Sequence, residues 1–106
     1  MTGGAPERVR VVRLLRVREG MEADFVASYR EVRRGSAGVP GHLGEQLCRS
    51  LDDPAQWLLT SEWESFEAVR AWRTGSAHRT LVEPMNACLH DDRWTAVFQV
   101  RESTTA

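Results

Sequence analysis

The order of apolar and polar segments predicts an α+β fold of the ferredoxin-like type, β-α-β-β-α-β, with an antiparallel sheet. Four short segments rich in Val, Leu and Trp have the alternating character of strands. Amphipathic stretches separate the first strand from the second and the third from the fourth, which is the split βαβ order. A chain of 106 residues has room for one domain.

The first half of the chain predicts a strand, a helix and a second strand. The segment from Val9 to Val17 carries Val and Leu between Arg residues and is typical of a strand. From Met21 to Arg34, apolar residues recur at helical spacing with charged residues opposite them. A Gly- and Pro-containing loop over residues 35–41 leads to a second strand from His42 to Arg49.

The second half begins with a third strand from Gln56 to Trp63. Ser65 is placed to cap the helix that follows, because its hydroxyl can accept from the free N–H groups of the first turn. That helix is expected to bury three apolar residues, Phe66, Val69 and Trp72.

A second helical piece follows at once. Gly75 is expected to end the preceding helix and Ser76 to cap the next one. Pro84 lacks the N–H that a helix needs, so this piece should break or kink there. The segment from Arg93 to Arg101 predicts the last strand.

The folded domain is predicted over residues 9–101, with residues 1–8 as a disordered lead and 102–106 as a tail. The first residues lack the basic-then-apolar order of a signal peptide. No apolar run reaches the roughly 20 residues that cross a bilayer. A protein that does not act at a membrane is expected.

The net charge and the number and spacing of the cysteines indicate which classes of partner the protein is not expected to bind. The net charge is -1, which offers no electrostatic basis for binding nucleic acid or an anionic membrane. Cys48 and Cys88 have neither a disulfide-framework nor a zinc-finger spacing, and the three histidines complete no usual ligand set with them. These observations predict a cytoplasmic location and no bound metal.

Apolar residues lie on both faces of the strands. Trp57, Leu59 and Trp63 share one face of the third strand, and Leu58 lies on the other. Since the helices cover only one face of such a sheet, the other needs a cover, which a second subunit's sheet would supply. We therefore expect a homodimer.

Three short motifs resemble the antibiotic biosynthesis monooxygenase family. They are Val39-Pro40-Gly41-His42 before strand two, Trp63-Glu64-Ser65 after strand three, and Ser76-Ala77-His78-Arg79 at the second helical piece. The resemblance covers residues 9–101 and implies a dimeric α+β barrel with a pocket between sheet and helices. Members of actinomycete aromatic polyketide pathways oxidise phenols or anthrones to quinones with molecular oxygen, without flavin, haem or metal.

The family's site residues carry over only in part. Trp63 matches the strand-ending Trp of the anthrone-oxidising members. Leu59 occupies the position where these members have an Asn. Val69 occupies the position where one of them has a Tyr, and Cys48 lies near the position of a His on strand two of that member. Of the set in the haem-degrading members, Trp72 matches the helical Trp, but Val82 occupies the position of the haem-ligating His.

A pocket for a flat aromatic substrate needs apolar walls, a base for the phenolic or carbon-bound proton, and donors for the developing oxyanion. His42 and His78 are the candidate bases, because neutral imidazole accepts protons near pH 7. Trp63 is the third candidate catalytic residue. The candidate substrate-binding residues are Trp57, Leu59, Phe66, Trp72, Gln46, Cys48, Arg79 and Asn86.

The predicted function is therefore a cofactor-independent monooxygenase that oxidises a polycyclic aromatic polyketide with molecular oxygen. A polyketide cyclase or aldol-type isomerase would need the same pocket and acid–base groups but no oxygen. A non-catalytic accessory protein of a partner oxygenase is a third interpretation, and a haem-degrading enzyme a more remote one.

Overall fold

The computed structural model describes residues 7–91 and 94–105. These residues form a four-stranded antiparallel sheet and three helices, which confirms the ferredoxin-like order. The elements are β1 (Val9–Arg16), α1 (Glu22–Ser36), β2 (His42–Arg49), β3 (Gln56–Trp63), α2 (Phe66–Arg73), α3 (Ser76–Asn86) and β4 (Trp94–Gln99).

The strands lie in the order β2-β3-β1-β4. In the pairing of β1 with β3, Val9 is opposite Trp63 and Arg13 is opposite Leu59. Thr95 of β4 pairs with Arg13 from the other side. Directly paired residues point to the same face, so these five side chains belong to the face that the helices cover.

An irregularity in β2 changes which of its residues face the helices. His42 pairs with Trp63, but Gly44 pairs with Glu62, so one extra residue lies between them on β2. Beyond this point Gln46 and Cys48 face away from the helices. His42 and Cys48, which an unbroken period-two count would place on one face, therefore lie on opposite faces of the sheet.

The two helical pieces differ from expectation in three details. Ser65 caps α2 as predicted, accepting from the Ala68 N–H at 3.2 Å. Phe66, expected to be buried, is 44% exposed at the start of that helix. Gly75, not Ser76, is the N-cap of α3, and Pro84 does not break the helix, which continues to Asn86. Pro84 lies in the last turn, where one missing N–H disrupts little of the ladder.

Two buried clusters form the core between sheet and helices. The larger packs α1 and α3 on the sheet around Leu15, Phe25 and Met85. The smaller packs α2 on the sheet around Val9, Trp63 and Val69. The space between the two clusters is incompletely filled, and this gap sets the position of the candidate site.

The last strand runs from Trp94 to Gln99 and is shorter than predicted. Arg93 and most of the predicted N-terminal lead lie outside the described residues. Within the described part of the chain, no helix combines the length and apolar character needed to cross a membrane.

Candidate functional site

A cavity of about 220 Å³ lies between the helix-covered face of the sheet and the three helices. Val32, Leu59 and Val82 of the larger core cluster line one side of it. Val11, Trp63 and Val69 of the smaller cluster line the other. Sites that enclose whole drug-sized ligands have volumes of roughly 300–1,000 Å³, so this cavity suits a small aromatic or part of a larger one.

Trp63 forms a rigid wall of the cavity. It is 3% exposed, and its indole N–H donates to Ser61 Oγ at 2.9 Å. The His42 ring stands edge-on to the indole, with ring centres 4.9 Å apart and planes at 64°. A hydrogen bond and an aromatic contact thus fix the orientation of this Trp.

A buried carboxylate, Glu45, marks one end of the cavity. Its side chain is 9% exposed, and it lines the cavity from β2. Tyr29 of α1 hydrogen-bonds to this carboxylate, and Ser36 Oγ lies 3.3 Å from its Oε1. His42 Nε2 is 3.1 Å from the same oxygen, within ion-pair distance but without hydrogen-bond geometry.

The phenol of Tyr29 remains a donor at this end. Burial, together with its hydrogen bond to Glu45 and the charge of that carboxylate, raises the pKa of Tyr29 above its ordinary value. A phenol with a raised pKa stays protonated over the physiological range. The Tyr29 O–H is therefore available to donate to the Glu45 carboxylate throughout this range.

The other end of the cavity carries basic and amide groups. Arg13 of β1 donates to Asn86 Oδ1 at 3.3 Å, and both side chains line the cavity. His78 stands edge-on to Trp72, with ring centres 5.1 Å apart. Arg73 lies at the same end and is exposed to solvent.

The position of His78 determines its charge. Burial first, and then the positive charges of Arg13 and Arg73, lower the pKa of this imidazole from its ordinary value of 6.5. A lowered pKa means that His78 is neutral near pH 7, which is the form that can accept a proton.

The structure brings five of the eleven sequence-predicted site residues to the cavity. These are Trp63, His78, Leu59, Trp72 and Asn86. His42 lies directly behind the wall, in contact with both Trp63 and Glu45. Its contribution to a site would therefore pass through those two residues.

The other five predicted residues lie elsewhere. Trp57 is buried in the larger cluster, 5.3 Å from the Phe25 ring. Gln46 and Cys48 are exposed on the opposite sheet face, because of the bulge in β2. Phe66 borders a shallow groove beside β4, and Arg79 is exposed on α3.

Sequence reasoning missed the polar lining of the cavity, chiefly Glu45, Arg13 and Ser36. A signal for Arg13 was available, since it follows Val9 and Val11 at the inward-facing register of β1 and precedes Leu15. A charged residue in such a register is costly unless it has a partner or a function. Glu45 could not be assigned a face without knowledge of the bulge.

Taken together, the cavity has apolar walls, an anionic end and a basic end. Glu45, Ser61 and Val11 lie in one row across β2, β3 and β1, and Arg13 is two residues further along β1. Strand spacing and rise place the Cα atoms of Glu45 and Arg13 about 12 Å apart. This arrangement can hold a flat ligand with one polar group at each end. Among residues 7–91 and 94–105, no three His, Cys, Asp or Glu side chains are grouped to hold a metal ion.

Residues 8–84 match the model of the family described as antibiotic biosynthesis monooxygenase. The match covers most of the domain, including β1 to β3 and all but the end of α3. The chain therefore belongs to the antibiotic biosynthesis monooxygenase family.

Relatives from Streptomyces share substantial sequence identity with the chain. The 42.8 kDa protein in the whiE locus of Streptomyces coelicolor is 45% identical over 96 residues, which cover 91% of this chain and 24% of that protein. Protein SchA of Streptomyces halstedii is 39% identical over 98 residues, covering 90% of this chain and 26% of the relative. The chain thus spans about a quarter of the length of these relatives.

Solved structures share the fold at lower identity. SnoaB, a cofactor-independent oxygenase from Streptomyces nogalater, has a TM-score of 0.82 and 18% identity, covering 92% of this chain and 96% of that one. A protein from Bordetella bronchiseptica, described as a putative antibiotic biosynthesis monooxygenase, has a TM-score of 0.81 and 21% identity, covering 91% of this chain and 99% of that one. Identities this low establish the fold and no more.

Proposed function

We propose that this protein is a cofactor-independent monooxygenase that oxidises a polycyclic aromatic polyketide, a phenol or anthrone, to a quinone with molecular oxygen. The observation that carries the proposal is the cavity itself, where Trp63 and Trp72 supply aromatic walls beside the neutral imidazole of His78. SnoaB, a cofactor-independent oxygenase, and a 38% identical relative from Streptomyces cyaneus named polyketide synthase CurD support the same class of reaction.

The reaction begins with removal of a proton from the substrate. Triplet oxygen reacts slowly with closed-shell molecules, whereas a phenolate or carbanion can transfer an electron to it directly. His78 is the proposed base, because its lowered pKa keeps it neutral and able to accept the proton. Arg13 and Asn86 lie at the same end, where N–H donors stabilise the developing negative charge on the substrate oxygen.

The substrate supplies all the electrons of the oxidation. Electron transfer to oxygen gives a substrate radical and superoxide, which combine to a peroxide that takes back the proton. Loss of the second hydrogen of the anthrone methylene as a proton, with cleavage of the O–O bond, leaves a carbonyl and releases water. One oxygen atom enters the product and the other enters the water. The apolar walls limit access of solvent to the peroxide.

Quinone formation by metal-free and flavin-free protein tests the proposal. Dithranol, a dihydroxyanthrone, serves as the substrate in air and under argon, and quinone absorbance is followed against the protein-free rate. We expect turnover above background in air and none under argon. Turnover that is equal under argon, or absent in air despite binding, would contradict the proposal.

A matched pair of variants tests whether the reaction takes place in the cavity. Trp63→Phe keeps an aromatic ring but loses the hydrogen bond to Ser61 Oγ, which orients the wall. Loss of an interaction of about 1.5 kcal/mol predicts a roughly tenfold lower kcat/KM. Trp94→Phe makes the same chemical change on the opposite sheet face and should retain the wild-type rate. Equal rates in both variants would place the reaction elsewhere.

A polyketide cyclase remains a second candidate because of a specific observation. The cavity places a carboxylate, Glu45, and a neutral imidazole, His78, among the ligand-facing groups, and aldol cyclisation needs only such acid–base groups. Leu59, which lines the cavity, stands where the resemblance to the anthrone-oxidising members of the family implies an Asn. Product formed without oxygen consumption would favour the cyclase.

The second face of the sheet supports a homodimer as part of the same proposal. Leu14, Trp94 and Phe98 are 37%, 49% and 50% exposed on the face away from the helices. Leu14 pairs directly with Trp94, and the Trp94 and Phe98 rings are 6.5 Å apart, so the three form one apolar patch. A second copy of the sheet would remove this patch from water.

A further inference from the structure

Glu45 is the feature of the cavity that the proposed oxygenation leaves unexplained. Its side chain is nine-tenths buried, yet it lines the ligand cavity rather than the protein core. Burying a carboxylate is costly unless hydrogen bonds replace its water. The polar groups around Glu45 therefore show what a ligand must supply.

The protein satisfies only part of the carboxylate's capacity. A carboxylate has about four acceptor positions. Among the described residues three groups reach Glu45, namely Tyr29, Ser36 and His42. The single Ser36 proton is shared, because its Oγ is also 3.2 Å from the Arg33 carbonyl oxygen. His42 lies close to the carboxylate without hydrogen-bond geometry.

The protein groups that reach Glu45 come from one helix and from its own strand. Tyr29 and Ser36 approach from α1, and His42 precedes Glu45 on the same strand. The apolar walls beyond it, Leu59, Trp63 and Val69, offer no donor to the cavity, since the only indole N–H among them is bonded to Ser61. A hydroxyl of a ligand in the cavity would supply a donor for the remaining acceptor position.

We propose that Glu45 accepts a hydrogen bond from a free hydroxyl of the aromatic ligand, so that the cavity selects hydroxyarenes and rejects their O-alkyl ethers. An ether has no donor and would leave a buried carboxylate facing a methyl group. Sites built to hydrogen-bond a ligand hydroxyl discriminate strongly against analogues that lack it, because the protein group is then left unpaired. This inference rests on the proposed function only in taking the cavity as the substrate site.

Selection for a free hydroxyl also sets the order of the reactions before and after this step. A ligand that must present a free hydroxyl to Glu45 has to be bound before that hydroxyl is capped. Reactions that O-alkylate or O-glycosylate the same hydroxyl therefore act on the product of this protein and not on its substrate.

Binding of naphthol and of its methyl ether, methoxynaphthalene, to the full chain tests this inference by calorimetry. A hydrogen bond to a charged group predicts that the wild-type protein binds naphthol about 10- to 100-fold more tightly than the ether. Glu45→Gln keeps the side-chain shape and an acceptor oxygen but removes the charge, so the ratio should fall to roughly its square root, about 3- to 10-fold. Glu83→Gln, an exposed Glu on α3, is the matched control and should keep the wild-type ratio.

Several outcomes would overturn the inference. They are equal binding of the two ligands by the wild-type protein, binding of neither, or a ratio that is unchanged in Glu45→Gln. If circular dichroism shows that Glu45→Gln does not fold, Glu45→Asp takes its place, because it withdraws the carboxylate by one methylene and must also reduce the ratio.

The test is separable from the test of oxygenation. Naphthol binding is measured without turnover, so a protein that selects naphthol through Glu45 but does not oxidise dithranol would retain this inference and lose the proposed function. Oxidation of dithranol with no selection for naphthol would do the reverse.

Discussion

At the scale of single residues, the candidate site places an acidic side chain and a histidine in different surroundings at its two ends. Glu45 accepts from Tyr29 and Ser36 at one end of the cavity. His78 is surrounded by Arg13, Arg73 and apolar rings at the other, and its pKa is lowered. Separation of an anionic acceptor from a neutral base gives the two ends of a ligand different environments.

The lowered pKa of His78 predicts a pH-dependent stability. Because the folded state disfavours the charged imidazole, the unfolded chain binds the proton more readily once the pH falls below 6.5. The wild-type protein should therefore become less stable as the pH falls, and His78→Gln should lack this contribution to the loss. Urea unfolding measures the free energy of unfolding of both proteins at about pH 7.5 and about pH 5. The stability of His78→Gln relative to the wild type should be greater at pH 5 than at pH 7.5.

The exposed His90 provides the control for that measurement. His90→Gln replaces an imidazole outside the cavity and shows how much of any difference between the two pH values comes from the loss of a histidine as such. A difference between wild type and His78→Gln that is the same at both pH values would show that the imidazole is not disfavoured in its charged form.

At the scale of elements, the tight connection before β2 positions α2 over the sheet. Gly41 has a φ of +85°, and its carbonyl oxygen accepts from the Glu64 N–H at 2.8 Å. A Cβ at Gly41 would lie 2.5 Å from the Ala68 Cβ on α2. Glycine is needed here both for backbone conformation and for the close approach of the helix.

A pair of Gly→Ala variants separates these two requirements. Gly38 also has a positive φ, of +83°, but a Cβ there would meet nothing within 4 Å. Gly38→Ala should cost about 1–2 kcal/mol from backbone strain alone. Gly41→Ala should cost about 1–3 kcal/mol more, because α2 must move. Urea unfolding measures both, and equal losses would contradict the packing role of Gly41.

Much of the element order could be predicted from the sequence, because alternation and helical spacing are local properties. The bounds of β2 and β3 are as predicted, and Ser65 caps α2. The position of Glu45 could not be predicted, because a bulge near Gly44 depends on how β2 pairs with β3 and shifts every later residue to the other face. Local patterns also do not show that Trp57 faces the larger cluster and Trp63 the cavity, although both share one strand face.

At the scale of the whole molecule, the two faces of the sheet have separate roles. The helix-covered face encloses the cavity, and the other face presents the apolar patch of Leu14, Trp94 and Phe98. An exposed patch of this kind is costly in water and is typical of an interface. The proposed dimer therefore would form without covering the helices that surround the site.

The oligomeric state follows from this arrangement and can be measured by light scattering. The wild-type chain should have twice the 12.0 kDa mass of one copy at micromolar concentration. Trp94→Glu combined with Phe98→Glu places charges in the patch and should yield a monomer, because a buried unpaired charge is strongly disfavoured. A monomeric wild type, or a dimer that persists in the double variant, would contradict the proposed interface.

The proposed oxygenation of an aromatic substrate in this cavity uses electrons from the substrate alone. Incubation of metal-free, flavin-free protein with dithranol under ¹⁸O₂, followed by mass spectrometry of the quinone, tests it most directly. We expect one labelled oxygen atom per quinone formed above the protein-free background, and a smaller amount of this quinone from Trp63→Phe than from Trp94→Phe. Unlabelled product, or label no greater than the background, would contradict it.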